Sequence, residues 1–189
     1  KLWELKTGKE LRTFIGHRDK VNSVAITPDG KYIVSSGNWD GTIRLWEVSS
    51  GKELRIFSEH MGRVDSVVLT PDGKYIVNTD DSTIKLWEIS SGKLLQIFEG
   101  HSKIINSIAI TPDGKYIVSG SLDNRIKIWE ISSGKEIQSF NWFPNNWPQY
   151  IIVSVAITPD GKYIISGGND NTINLMEISS GKILQTFED

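Results

Sequence analysis

Cysteine is absent from these 189 residues, and histidine occurs only three times. No disulfide framework and no thiolate chemistry can operate, and few imidazoles are left for metal binding or proton transfer. No apolar run approaches the roughly 20 residues that a membrane-spanning helix needs. Neither sign of charge is in clear excess: 21 Lys and Arg against 23 Asp and Glu leave a formal net charge of −2. Such a balance gives nucleic acid or an anionic membrane no general attraction. The lack of cysteine fits a reducing compartment, and a cytoplasmic location is expected. The sequence opens on Lys1 instead of methionine, so a piece of something longer is expected.

Aromatics, in contrast, are plentiful, with seven Trp, five Tyr and six Phe, as suits a β protein. Two phrases recur. "TPDGKY" starts at Thr27, Thr70, Thr111 and Thr158. "LWEVSSGK" from Leu45 returns as "LWEISSGK" from Leu86, "IWEISSGK" from Ile128 and "LMEISSGK" from Leu175, with a worn copy, "LWELKTGK", at Leu2. One unit of about 42 residues holds both phrases, and fixed periods of this length mark repeat architectures. Within a unit, apolar runs such as "VNSVAI" from Val21 or "VDSVVL" from Val64 alternate with turn chemistry. Pro presets φ, and Gly accepts positive φ, at each "PDG". Four short β-branched runs joined by tight turns predict a four-stranded antiparallel meander per unit.

A Gly-His pair before the first run, an Asp turn after the second and a Trp-acid ending after the third, all at this period, resemble the WD-repeat β-propellers. The likeness covers the whole chain. It implies an all-β fold of four full blades preceded by one extra strand. The expected units are residues 1–15, the last strand of a preceding blade; 16–58; 59–99; 100–140; and 141–189, with a loop insertion at 141–151. Each blade must stack at both faces. The fourth unit already has its own last strand, "ILQTF" from Ile183, so "ELRTF" from Glu10 is surplus. An open arc, or part of a larger ring completed by further blades or by a second copy, is expected.

The resemblance also implies a hydrogen-bonded tetrad in each blade, which would satisfy buried polar groups jointly. The first set is His17, Ser35, Asp40 and Trp46, and the third is His101, Ser119, Asp123 and Trp129. The second keeps His60, Asp81 and Trp87, with Glu59 in place of glycine and the serine position falling on Asn78 or Thr79. The fourth keeps Ser166 and Asp170 but lacks histidine, and Met176 replaces tryptophan; methionine fills the gap without leaving an orphan donor. Read this way, all three histidines serve the fold, and no metal cluster, nucleophile–base pair or cofactor loop remains. "SSGK" ends like a phosphate-binding loop but lacks the upstream glycine and leads into a strand. Acidic residues on the strands are expected to form a solvated rim.

The turns "TPDGK" and "SSGK" barely vary between units, whereas the loops at the other end differ freely. Meander topology puts those variable loops on one rim, where recognition is expected. The candidates for partner binding are Arg18, Trp39, Arg63, Arg125, Trp142, Phe143, Trp147 and Tyr150, residue types favoured at hot spots. Trp142 to Tyr150 have a competing reading, as a cover over the defective fourth unit. The leading functional expectation is a non-catalytic scaffold for a protein or peptide, without cofactor. A ligand-sensing region of a larger, prokaryotic-type signalling protein is the alternative. Arg18, Lys20, Arg63 and Lys103 form the one local basic patch on which nucleic-acid binding is to be tested, and none is expected at physiological salt.

Overall fold

The computed structural model describes residues 1–58, 62–141 and 151–188. All regular structure among them is β. A two-stranded hairpin, β1 (Leu2–Trp3) with β2 (Glu10–Arg12), comes first. Four antiparallel four-stranded sheets follow in chain order. The first holds β3 (Val21–Ile26), β4 (Tyr32–Gly37), β5 (Ile43–Glu47) and β6 (Glu53–Phe57). The second holds β7 (Val67–Leu69), β8 (Tyr75–Asp80), β9 (Thr83–Glu88) and β10 (Leu94–Phe98). The third is built from β11 (Ile105–Ile110), β12 (Tyr116–Ser121), β13 (Arg125–Glu130) and β14 (Glu136–Asn141). The fourth comprises β15 (Ile152–Ile157), β16 (Tyr163–Gly168), β17 (Thr172–Glu177) and β18 (Ile183–Glu188).

In every sheet neighbouring strands are consecutive in sequence, so each is a plain meander with no crossover. The turns explain this economy. At the first, Gly30 has φ of +69° and its N–H reaches Thr27 O at 2.8 Å; a side chain there would be strained. Asp29 Oδ1 accepts the Thr27 hydroxyl at 2.6 Å and the Lys31 N–H at 3.0 Å. These bonds hold its carboxyl below the ordinary range, the Thr27 hydroxyl contributing most. The same constellation recurs at Asp72, Asp113 and Asp160.

The core lies between sheets, not within them. The leading face of the first sheet offers Val34, Ile43, Leu45 and Phe57. The trailing face of the second receives them with Val64, Val67, Ile76 and Trp87. Second and third sheets meet in the same way, through Ile84 and Phe98 on one side and Ile108 and Trp129 on the other. Third and fourth meet through Val118, Ile126 and Ile128 against Ile152, Val155 and Met176. Full burial of each such side chain is worth about 1.5–3 kcal/mol. A polar seam runs beside the core: Val67 N–H donates to Ser23 Oγ at 3.2 Å, Ile108 N–H to Ser66 Oγ at 3.4 Å and Val155 N–H to Ser107 Oγ at 3.2 Å.

Two expectations need correction. The N-terminal stretch forms a hairpin of two strands, not one, because Leu2–Trp3 pairs back across the "KTGK" turn, where Gly8 N–H reaches Glu4 O at 2.8 Å. The run from Val64 becomes a strand only at Val67, since the Thr79 hydroxyl accepts the N–H groups of Asp65 and Ser66, both at 3.1 Å, ahead of it.

Candidate functional site

The first and third sheets each carry a complete polar strut. Trp46 Nε1 donates to Ser35 Oγ at 2.8 Å, Ser35 Oγ lies 2.7 Å from His17 Nε2, and His17 Nδ1 lies 2.7 Å from Asp40 Oδ2. One proton arrangement satisfies all of them: indole N–H to hydroxyl, hydroxyl to Nε2, and Nδ1–H to carboxylate. Asp40 also accepts from the N–H of Arg18 and from both the N–H and the hydroxyl of Thr42. Burial pushes its pKa up, but the bonds from His17, Arg18 and Thr42 outweigh burial and hold it below the usual range. In the third sheet Trp129, Ser119, His101 and Asp123 repeat the chain at 2.8, 2.7 and 2.8 Å. Asp123 is likewise held low, His101 and the N–H groups of Ser102 and Arg125 overcoming its burial. Each strut ties a loop, a turn and two strands into one rigid rim segment.

The second and fourth sheets depart from this plan. Trp87 Nε1 donates to Asn78 Oδ1 at 2.8 Å, and Asn78 Nδ2 donates to Thr79 O at 2.8 Å. Asn78, then, holds the serine position. Asp81 is solvent-exposed with φ of +49°; His60 and Glu59 lie outside the described residues. In the fourth sheet Ser166 and Asp170 are not brought together. The Ser166 hydroxyl is buried and has no hydrogen-bond partner among the described residues, and Asp170 accepts from Thr172 instead. Met176 is 1% exposed, so it fills the tryptophan's place as packing only. The Phe140 ring lies where a Cβ on Gly181 would stand, 2.1 Å from such an atom, whereas Phe57 and Phe98 meet Trp87 and Trp129 edge-on.

Sequence reasoning missed the charged partners of these struts. Arg44, Lys85 and Lys127 occupy one equivalent strand position and are buried. Arg44 reaches Glu53 and Lys127 reaches Glu136, each at 2.5 Å. Leu94 stands where those glutamates do, and Lys85 pairs with Asp80 at 2.7 Å instead. Glu53 and Glu136 therefore pair with buried cations while their own carboxylates stay partly exposed. The acid follows the cation by nine residues, on the outer strand, in two sheets and sits at a loop-side strand end in the other, so the spacing does not repeat in every unit. Asn174 takes the position in the fourth sheet with neutral bonds to Thr172 and Thr186.

On the variable rim, Trp39 is 73% exposed, yet its loop is pinned: Trp39 N–H donates to Asp19 Oδ2 at 3.1 Å and Asn38 N–H to Lys20 O at 2.8 Å. Arg18 is exposed. Arg63 is held by Asp65 at 2.5 Å, and Arg125 bonds Ser139 Oγ at 3.2 Å. Burial raises the pKa of Asp65 despite Arg63. Trp142, Phe143, Trp147 and Tyr150 lie outside the described residues. Among the described residues no group of three His, Asp or Glu side chains is placed to hold a metal ion.

A family model described as WD domain, G-beta repeat matches residues 8–47, 51–88, 92–130 and 136–175. The chain belongs to the WD-repeat family. Each matched repeat runs from the outer strand of one sheet through the third strand of the next. Two curated relatives share single repeats with it. The Lissencephaly-1 homolog of Heterostelium pallidum is 51% identical over 37 residues, 20% of this chain and 9% of that protein. The uncharacterized WD repeat-containing protein sll1491 of Synechocystis is 48% identical over 40 residues, 21% of this chain and 12% of that protein. These likenesses span about a tenth of either relative. WD repeats generally serve as scaffolds for protein interaction, and the open stack of four-stranded blades is the architecture such repeats build.

Proposed function

We propose that this WD-repeat chain is a non-catalytic scaffold that binds a protein or peptide segment on the rim carrying Arg18, Trp39, Arg63 and Arg125. The observation that carries this reading is Trp39: a large indole left 73% exposed on a loop tied down by Asp19 and Lys20 and followed at once by Asp40, the anchor of the first strut. An exposed aromatic on a rigid loop loses little entropy when it is covered. Arg18, exposed on the same rim, donates its backbone N–H to Asp40 Oδ2. A cytoplasmic setting, which the cysteine-free composition accommodates, belongs to the same reading.

Selection of peptides from a random display library on the purified chain tests the site. Trp39→Ala or Arg18→Glu should weaken the selected peptides by tenfold or more, the loss of about 1.4 kcal/mol or more expected at a hot spot. Lys31→Glu, on the opposite rim, should leave them unchanged. Equal binding by all three variants would place the interaction elsewhere.

A further inference from the structure

Two of the three joints between neighbouring sheets are tied at their first strands by an asparagine. The second residue of the first-strand run is Asn22, Asp65, Asn106 and Val153 in the four units. Asn22 Nδ2 crosses from the first sheet to Val64 O at 3.1 Å, and Asn106 Nδ2 crosses from the third to Ile152 O at 2.8 Å. Val64 and Ile152 each open the run of the next unit, so the matching acceptor for Asp65 is Ile105 O. An ionised carboxyl has no proton to donate there.

Asp65, just ahead of β7, is otherwise placed for the same crossing. Asp81, whose carboxylate acts on that of Asp65, takes the Ile105 N–H on its backbone O at 2.8 Å. The Asp65 side chain is 7% exposed. Its Oδ1 accepts from Arg63 Nε and, at 3.3 Å, from Asn22 Nδ2. Its Oδ2 is buried and has no hydrogen-bond partner among the described residues. A buried carboxylate oxygen without a donor is costly, and a proton on it turns the acceptor into a donor. Since both donors sit on Oδ1, Oδ2 is the oxygen that takes the proton.

We infer that Asp65 is a proton-operated staple between the second and third sheets. With Oδ2 protonated it donates to Ile105 O, as Asn22 and Asn106 donate to their acceptors; ionised, it leaves that joint without the tie. The groups facing Asp65 among the described residues are Arg63 on its own segment, the neutral Asn22 of the first sheet and Asp81 of the turn after β8, and the third sheet adds no charge. Burial, the largest influence, and the charge of Asp81 push the carboxyl above its ordinary range, and Arg63 does not offset them. With the folded value above the unfolded one of about 3.9, the contribution of the proton is full below the unfolded value and is lost as pH rises through the folded one. Asp40 and Asp123, both held low, respond in the opposite sense and stay ionised over this window.

Native-state hydrogen exchange, corrected for the intrinsic effect of pH, tests this joint by joint. Ile105 N–H on Asp81 O and Ile108 N–H on Ser66 Oγ report the joint of second and third sheets. The N–H groups of Val67 and Val155, on Ser23 and Ser107 Oγ, report the other two. From pH 7 to pH 4, protection of Ile105 and Ile108 should rise about fivefold, the equilibrium worth of one net hydrogen bond, while that of Val67 and Val155 does not rise. Asp65→Asn, which supplies a permanent donor, should hold the higher protection at both pH values. Asp65→Val, a residue type the fourth unit carries at this position, should hold the lower protection at both. Asn106→Asp should bring the pH dependence to Val155. Protection of Ile105 and Ile108 that ignores pH would overturn the proposal, as would Asp65→Asn no better protected at pH 7 than Asp65→Val. So would an equal rise at Val67 and Val155, which would mean that acid acts on the whole stack.

Discussion

The third and fourth sheets are the same four-stranded meander and pack against each other, and they differ in how the polar interior is treated. In the third, a tryptophan, a serine, a histidine and an aspartate satisfy one another, and a buried lysine closes on Glu136. In the fourth, the indole and the lysine are both gone, replaced by Met176 and Asn174, and one hydroxyl, Ser166, is left over. The fold survives the loss because apolar packing between sheets, not the strut, supplies most of the stabilisation. What the strut adds is definition of the rim: it fastens loop to turn through His101 and Asp123 in the third sheet, where the fourth has the bond from Ile151 N–H to Asn169 Oδ1. A network of this kind is valuable when whole and costly when partial, and the fourth sheet retains one fragment of it.

Five measurements would break or sharpen that contrast. The largest effect is expected from Trp129→Ala, which removes core volume and the indole's bond to Ser119 together; a loss of about 3–5 kcal/mol is expected in urea unfolding. Met176→Ala should cost less, about 2–3 kcal/mol, since no hydrogen bond goes with it. Of similar size is Ser119→Ala, which strands the Trp129 N–H and His101 Nε2 at about 1–3 kcal/mol for each stranded group, and hydrogen exchange should quicken in β12 and β13 before β16 and β17. Acid should act more mildly. Asp123 has a folded pKa below its unfolded value of about 3.9, so its contribution is present above that value and fades as pH falls through the folded one. Melting temperature followed from pH 6 to pH 2 should therefore fall more steeply in the wild type than in Asp123→Asn, and parallel curves would deny the carboxylate this role. The smallest effect, and the one of opposite sign, is expected from Ser166→Ala. Deleting a buried hydroxyl without a partner should be neutral or stabilise by up to about 1 kcal/mol, a rise of at most about 2–4 °C for a chain of this size. A clear loss would show that Ser166 has a partner after all.

The contrast also explains what could be read from the sequence. The struts of the first and third sheets were legible because His17, Ser35, Asp40 and Trp46 recur as His101, Ser119, Asp123 and Trp129 at nearly the same separations, and repetition makes short motifs specific. Met176 was legible for the same reason, as a break in a pattern. The choice of Asn78 over Thr79 was not, because the shorter turn at Asp81 shifts the register by one and only strand pairing, Ile76 opposite Trp87, resolves it. The buried cations were hidden because Arg44, Lys85 and Lys127 read as ordinary surface charge on a strand, and their acids come from different places. Leu2–Trp3 is too short to announce itself as a strand; only its partner Glu10–Arg12 makes it one.

The offset between matched repeat and folded sheet has a consequence for how such a chain can change length. Because the repeat boundary falls after the third strand, excising one repeat by recombination would remove strands from two vanes and splice the survivors into a complete one. Lengthening by duplication would do the same in reverse. No intermediate in that history need ever carry a half-built vane, which lets the number of units drift while every copy stays stitched to the one before it.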